Sequence, residues 1–255
     1  LPPTGLAWSI LGEIARERND PATAEKLIPL GIEIARKGGI VDDLRHALLF
    51  LVRLRQAQGD WTAARTAWTE VDALLGTYNI PRLTDLSAAY RARLDLAQGY
   101  ITSAGHWARH YQQLRVTRAD AYLREFEDLT LIRVLIAENK ADEAMRWLRP
   151  LTTSAREAGR HRTVIEARIL QAGILAGSDV PAACVALGDA LALAADAGFR
   201  QLFIDEGSSL LPLLAKTRHI APAFVNSLAL PQPHAKADSL SNDTSANFLT
   251  GQALS

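Results

Sequence analysis

A helix–turn–helix corner recurs along this chain at an interval of forty residues. The turn positions hold glycine or asparagine, the residues that most easily adopt the left-handed conformation ending a helix: Asn19, Gly59, Gly99 and Asn139. Five residues after each turn stands a small residue: Ala24, Ala64, Ala104 and Ala144. A fifth unit follows with a slip of one residue, with Ser178 at its turn and Ala183 in the small-residue column.

The residues around these corners favour helices on both sides. Asp20, Asp60 and Asp179 directly follow the turn, where they can cap the next helix. Pro21 and Pro181 fall in the first turn of a helix, where proline is tolerated. Two further prolines fall inside second helices, where each is expected to kink or break the helix: Pro29 and Pro150.

A fixed period of this length predicts a solenoid of stacked helix pairs. The first unit reads Trp8-x2-Leu11-Gly12 and then Ala24-x3-Ile28, close to the tetratricopeptide pattern. HEAT-like repeats, with periods nearer forty, are the alternative, but the corner Gly59-Asp60 fits a tetratricopeptide better. We therefore predict an all-α fold of tetratricopeptide-like helix pairs, stacked as a superhelical solenoid over residues 1–230 with about eleven or twelve helices. Residues 231–255, rich in Pro, Ser, Asn and Ala, are predicted to be a disordered linker.

Composition excludes several classes of protein. Lys plus Arg equals Asp plus Glu at 28 each, without the basic excess of a nucleic-acid-binding domain. The single cysteine, Cys184, excludes an internal disulfide and suits a reducing, cytoplasmic compartment. We expect no membrane span and no signal peptide. The first residue is Leu1 rather than Met, so we expect a piece of a longer protein.

Three segments resemble the helical-repeat region of large LuxR-type bacterial transcriptional regulators, the MalT-like family. They read GLAWSILGEIARERND, YLREFEDLTLIRVLIAENKADEA and AADAGFRQLFIDEG. The most specific pieces are Tyr122 to Glu127 and Phe203 to Gly207, and the resemblance covers nearly all of residues 1–230. It implies that these repeats receive an inducer and pass that information to the other domains of the regulator.

The same resemblance implies two flanking domains that this sequence does not contain. A nucleotide-binding domain would come first and a helix-turn-helix DNA reader last, and neither a phosphate-binding loop nor a basic recognition helix is present. We therefore expect no cofactor in this fragment, ATP belonging to the absent domain, and no direct binding of nucleic acid or membrane. A homo-oligomer in the active full-length protein is a further expectation from the family.

Three columns of first-helix residues, spaced three and then four apart, predict one helix face directed at the concave groove. The outermost column holds Leu6, His46, Leu86 and Phe126, and the middle column holds Ser9, Leu49, Ala89 and Leu129. The third column holds one acid and a ladder of arginines: Glu13, Arg53, Arg93 and Arg133. The ligand-binding candidates are therefore Arg53, Arg93, Arg133, His46, Phe126 and Glu13.

A guanidinium offers a planar fork of donors that suits a carboxylate or a phosphate. Beside apolar columns, the arginine ladder favours a small-molecule inducer with an anionic head and an apolar body. The alternative is that each arginine pairs with a neighbouring acid, such as Asp95, Glu127 or Asp128, and fixes adjacent units in register. The sequence alone is compatible with both interpretations, ligand binding and ion pairing between units.

Other residues carry weaker signals for chemistry. His106 and His110 share a helix face but lack a third metal ligand with suitable spacing, so an exposed pair without metal is expected. Asp205 and Glu206 diverge on a helix, which favours a turn or capping role over catalysis. Cys184 is expected to be buried and inert. The tryptophans are expected mainly to pack helices together: Trp8, Trp61, Trp68, Trp107 and Trp147.

These observations leave three functions of different classes. The first is an effector-sensing and signal-relay domain of a bacterial regulator. The second is a protein-interaction scaffold that grips a peptide or protein in its groove without a small-molecule ligand. The third, an all-α enzyme, is not supported, because the sequence shows no nucleophile elbow, catalytic triad order or phosphate loop.

Overall fold

The computed structural model describes residues 5–78, 81–115 and 124–228, and the side chains of residues 81–83 are left out of the description. Ten long helices lie in five consecutive pairs: α1 (Gly5–Glu17) with α2 (Pro21–Gly38), α3 (Val41–Ala57) with α4 (Trp61–Thr77), α5 (Pro81–Ala97) with α6 (Ile101–Arg115), α7 (Glu125–Ala137) with α8 (Ala141–Glu157), and α9 (His161–Leu175) with α10 (Val180–Ala197). The predicted linker, 231–255, lies outside the described residues.

Short helices close the described part of the chain. They are α11 (Gln201–Ile204), α12 (Leu211–Thr217) and α13 (Pro222–Asn226), with 3-10 turns at Gly207–Leu210 and Arg218–Ile220. Across the ranges that the structure describes there is no strand. The prediction of an all-α solenoid of helix pairs is confirmed.

The corners have the backbone geometry that their residues favour. Asn19, Gly59, Gly99 and Asn139 all have positive φ, between 59° and 81°. The small-residue column is fully buried at every corner, because these side chains let the two helices of a pair approach closely: Ala24, Ala64, Ala104, Ala144 and Ala183 are each 0% exposed. Ser178 lies in the fifth turn as expected, but its φ is not positive.

The three aspartates expected to cap second helices do so. Asp20, Asp60 and Asp179 each accept a hydrogen bond from the backbone N–H three residues later, at 3.0, 2.9 and 2.9 Å. Such a bond satisfies one of the amides that a helix start leaves without a partner. The slip of one residue in the fifth unit therefore does not disturb its helix start.

The two internal prolines do not break their helices. Pro29 lies within α2 and Pro150 within α8, and both helices continue for at least seven residues beyond the proline. Both prolines are exposed. On a solvent-facing side, the carbonyl that loses its partner can bond to water, which lets the helix run on.

The first pair is packed unusually closely. A methyl group placed on Gly31 of α2 would come within 2.6 Å of the carbonyl oxygen of Gly5 and 2.8 Å of the Ser9 nitrogen, both on α1. Ser9 itself is fully buried and donates its hydroxyl to the Gly5 carbonyl at 3.0 Å. The absence of a side chain at Gly31 therefore sets the distance between α1 and α2.

The superhelix brings the fifth unit back to the first across its interior. Arg162, at the start of α9, donates to Glu17 of α1 at 2.8 Å, although 145 residues separate them. The guanidinium of Arg200 lies 3.4 Å from the carbonyl oxygen of Arg18. The short helix α11 also lies against both α1 and α9. The first helices of the units therefore surround one shared interior.

Helix α10 departs from the expectation that no segment could span a membrane. Its 18 residues are long and apolar enough to do so by length and composition alone. Seven of its residues are buried, and most belong to the C-terminal hydrophobic cluster together with α9, α11 and α12: Ala183, Ala186, Leu187, Gly188, Ala190, Leu191 and Ala194. A core helix passes the same test of composition, and here the apolar residues are used for packing.

Candidate functional site

Arginines and carboxylates from five helices and one turn meet inside the superhelix. The arginines are Arg16, Arg53, Arg93, Arg133 and Arg162, and the acids are Glu13, Glu17, Glu166, Asp205 and Glu206. We call this set the interior network. Its five positive charges match its five negative charges, which is the condition for burying so many ionised groups together.

Glu166 is shared by three arginines of the interior network. Its side chain is 1% exposed, and it lies 2.9 Å from Arg93 Nη1 and 3.1 Å from Arg133 Nη2 through Oε1. Its other oxygen, Oε2, accepts from Arg162 Nη1 at 3.1 Å. Burial opposes ionisation of this carboxyl, but the three guanidinium charges outweigh it and lower its pKa far below the usual range.

Glu17 joins the two ends of the superhelix. Its Oε1 atom accepts from Arg16 at 2.7 Å, from Arg53 at 3.1 Å and from Arg162 at 2.8 Å. Burial alone would raise the pKa of this carboxyl, but the charges of Arg162, Arg16 and Arg53 outweigh it and lower the pKa from 4.5 to about 2. Glu17 is therefore ionised at neutral pH and connects α1, α3 and α9.

Arg93 is the least compensated arginine of the interior network. Its Nη1 pairs with the shared Glu166 and its Nε donates to Thr130 Oγ1 at 2.8 Å, while its Nη2 has no hydrogen-bond partner among the described residues. The guanidinium lies over the ring of Phe126, 4.1 Å from the ring centroid, and Phe126 stacks on Tyr90 at 4.1 Å. Burial lowers the pKa of Arg93 to about 10, helped by the charges of neighbouring arginines.

A cavity of about 610 Å³ adjoins the interior network at the turn ends of the inner helices. The network residues on its wall are Arg16, Arg53, Arg93, Arg133, Asp205 and Glu206. The rest of the wall is mainly apolar and aromatic, with two amides: Val52, Trp61, Tyr90, Leu96, Ile101, Ile136, Leu170, Ile204, Gln56 and Gln201 are among its residues. An apolar cavity with a few converging polar groups is the usual form of a small-molecule site.

The comparison with known proteins agrees with this architecture. A family model described as "MalT-like TPR region" matches residues 1–219. The chain belongs to the MalT-like TPR family. A search of curated proteins finds no match. The family match covers all five helix pairs and the short helices α11 and α12, so every residue of the interior network lies within the MalT-like TPR region.

The structure of this MalT-like region places five of the six predicted site residues in or beside the interior network. Arg53, Arg93 and Arg133 line the cavity. Glu13 belongs to the interior network, where it pairs with Arg53 and, at 2.9 Å, with Arg16. The ring of Phe126 packs against the guanidinium of Arg93.

His46 lies elsewhere, at the start of α3. Its Nδ1 is 3.0 Å from the carbonyl oxygen of Asp42, and its ring lies beside Phe50. Burial lowers its pKa, and the positive charge of Arg45 adds to the effect. The structure therefore brings five of the six candidates together and leaves His46 outside the group.

The arginine ladder is ion-paired, but not with the acids named as examples from sequence. Asp95 pairs with Arg91 at 3.2 Å, and Asp128 with Arg115 at 3.2 Å. Glu127 lies 3.9 Å from Arg124. Asp95 follows Arg93 by two residues, which turns it about 200° away around the helix, so a close neighbour in sequence faces another direction. The true partners come from other units.

Sequence analysis missed four of the ten residues of the interior network. Arg16, Glu17 and Arg162 lie outside the three columns that were aligned, and their partners become neighbours only when the superhelix closes on itself. Glu166 did carry a signal, because it stands forty residues after Phe126 in the outermost column. The shift of the fifth turn concealed that match. Asp205 and Glu206, for which the sequence favours a turn or capping role, do lie in a turn. They also line the cavity and face Arg16 and Arg133 at 3.9 and 2.6 Å.

Of the weaker candidates, the histidine pair and Cys184 lie away from this cavity. His106 and His110 are exposed on α6, and within the described ranges no three His, Cys, Asp or Glu residues are placed to share a metal ion. Cys184 was expected to be buried but is partly exposed, at the edge of the C-terminal cluster. Trp61 lines the cavity, whereas Trp68 is buried between helices.

We predict that the contribution of Glu17 to stability is lost in acid. Its pKa is lower in the folded chain, about 2, than its ordinary value of 4.5, so this contribution is complete above pH 4.5 and disappears as the pH falls toward 2. Urea unfolding of the native chain and of Glu17→Gln should therefore differ at pH 7 and converge only as the pH falls to about 2. A difference between the two that is the same at both pH values would contradict the ion-pairing role of Glu17.

Proposed function

We propose that this MalT-like TPR region is the effector-sensing and signal-relay domain of an ATP-dependent LuxR-type bacterial regulator, and that it binds a small-molecule inducer in the interior cavity. The observation that carries the proposal is the cavity itself, which adjoins an interior network contacting the first and last units at once. The rest of the regulator is its expected partner, in the bacterial cytoplasm. DNA binding and ATP hydrolysis are assigned to other domains.

The size and wall of the cavity suit a small organic molecule. Ligand sites commonly measure about 300–1,000 Å³, and this cavity measures about 610 Å³. Trp61, Tyr90 and Leu170 offer large apolar surfaces, and Gln56 and Gln201 offer amides for orientation. An aromatic or branched apolar body would bury its surface against these side chains.

The charges of the site favour an anionic head group. Arg93 has Glu166 as its only carboxylate within 4 Å among the described residues, and Glu166 is shared with Arg133 and Arg162. A carboxylate or phosphate on the ligand would give Arg93 Nη2 the acceptor that it lacks among the described residues. Hydrogen bonds to charged groups of this kind contribute about 1.5–3 kcal/mol each.

The relay follows from the position of Glu166. An anion that pairs with Arg93 competes with Glu166, which also contacts Arg133 of α7 and Arg162 of α9. Loosening these contacts favours a different spacing between the first and fifth units. A ligand shifts such an equilibrium only by its differential affinity for the two arrangements.

Thermal-shift titration with phenylacetate, 3-phenylpropionate and octanoate, each beside its uncharged amide, tests the proposal. We expect at least one carboxylate to raise the melting temperature saturably and its amide to do so less. Arg93→Gln should weaken that binding about tenfold or more. Arg36→Gln, on the exposed surface of α2, is the matched control and should leave binding unchanged.

Two results would count against the proposal. One is that the native chain binds a carboxylate and its amide equally, or that a folded Arg93→Gln chain binds the carboxylate as tightly as the native chain does. Either result would rule out an anionic head group paired with Arg93. The other is that no probe, charged or uncharged, raises the melting temperature, whereas a peptide or protein binds in the groove. That result would favour the interaction scaffold. Circular dichroism of each variant verifies that it folds before its binding is compared.

A further inference from the structure

Helix α1 carries an apolar stripe on the side of the first unit that faces away from α3. Ala7, Ile10, Leu11 and Ile14 are all exposed, and the last three have 42%, 50% and 42% of their surface in solvent. Their spacing of three, one and three residues places them on one helix face. Four exposed apolar side chains in a row are unusual for a surface helix and indicate a contact site.

The same four positions are covered in the next unit. Forty residues later stand Ala47, Phe50, Leu51 and Leu54 of α3. Ala47 and Leu54 are 0% and 1% exposed and belong to one hydrophobic cluster. Phe50 and Leu51 are partly buried against that cluster. Both helices of the first unit contact α3 and cover this face.

The pattern continues in the third and fourth units. Ser87, Tyr90 and Leu94 of α5 are 0%, 9% and 2% exposed, and the fourth position of that face, Arg91, is a charged exception that points outward. In α7 the equivalents are all at most 4% exposed: Glu127, Thr130, Leu131 and Val134. This face is therefore mostly buried in α3, α5 and α7, the first helices of units two to four. In α1, the first helix of the first unit, the same face is exposed.

We propose that the α1 stripe is a docking surface for a further helix pair of the same repeat type. The argument is continuity of the interface, since each described junction between units seats the first helix of one pair against both helices of the pair before it. The partner is thus two antiparallel helices with small residues at their crossing and an apolar edge, like α3 with α4. Its apolar edge would cover Ile10, Leu11 and Ile14 as the first unit covers Phe50, Leu51 and Leu54.

A chain extended by one unit tests the proposal. A second copy of residues 41–80 is joined ahead of residue 1 of the full chain, which keeps the forty-residue register. We expect the melting temperature to rise by several degrees and the amides of α1 to exchange more slowly with deuterium than in the unextended chain. The control carries Leu11→Glu in both the extended and unextended chains; Leu11 is half exposed, so this change should leave the unextended fold intact, and it should abolish both gains.

Three outcomes would overturn the proposal. The extension could leave melting and α1 exchange unchanged, or it could produce the same gains with Leu11→Glu present. Light scattering could also show that the unextended chain forms a dimer that Leu11→Glu disrupts, which would assign the stripe to a second copy of the chain. None of these outcomes depends on the interior cavity, so the docking surface and the proposed ligand site are tested separately.

Discussion

Glu166→Gln is expected to destabilise the chain by about 3–5 kcal/mol, the cost of removing one partner from a buried group of ion pairs. The carboxylate is almost completely buried and lies within 3.1 Å of Arg93, Arg133 and Arg162. Glutamine has nearly the same shape but no charge, so three guanidinium groups would lose their shared counter-charge. Urea unfolding at neutral pH measures the difference directly.

Glu157→Gln is the matched control for this change. Glu157 is the last residue of α8 and is exposed, so its replacement should alter the free energy of unfolding by about 0.5 kcal/mol or less. Equal changes in the free energy of unfolding at the two positions would show that the buried ion pairs of Glu166 stabilise the chain no more than an exposed carboxylate does. A stable Glu166→Gln chain that also binds the anionic probes more tightly would show that Glu166 opposes the ligand rather than holding the fold.

The second large effect is expected at Phe203, where truncation to alanine should cost about 3–5 kcal/mol. Phe203 is fully buried and makes an edge-to-face contact with Phe224, with centroids 5.4 Å apart. It also anchors α11, which precedes Asp205 and Glu206 on the cavity wall. We therefore expect Phe203→Ala to weaken binding of the anionic probes as well as stability.

Phe199→Ala separates the general effect of removing an aromatic ring from this anchoring role. Phe199 packs against the same C-terminal hydrophobic cluster as Phe203 but is only partly buried. Its truncation should therefore lower the free energy of unfolding by about half as much or less. Calorimetric melting of both variants gives the comparison. If Phe203→Ala lowers the melting temperature no more than Phe199→Ala, then α11 is held in place mainly by contacts other than this ring.

The repeat architecture could be predicted from sequence because its determinants are local. The left-handed turn residues at Asn19 and Gly59, the aspartate caps and the alanine columns each act within a few residues, so their spacing directly reports the helix pairs. The arginine ladder was found for the same reason, since Arg53, Arg93 and Arg133 occupy one register. In these respects the chain is locally consistent with its fold.

The partners of the ladder could not be predicted because they depend on the curvature of the whole superhelix. Glu17 and Arg162 are 145 residues apart in sequence, and no local pattern states that five units complete enough of a turn to bring them together. The continuous course of α2 through Pro29 was also missed, since the rule that proline breaks a helix takes no account of a solvent-facing position. These failures concern long-range geometry and exposure rather than the choice of secondary structure.

Contact between the first and fifth units alters how the chain should unfold. In an open array each module touches only its neighbours, so the ends loosen first and melting spreads inward. Here the bond between Glu17 and Arg162, with the contact of Arg200 to the backbone of Arg18, turns that linear sequence of couplings into a loop. Neither end can then fray without breaking a contact made at the other, and the domain is expected to lose its structure as one cooperative unit.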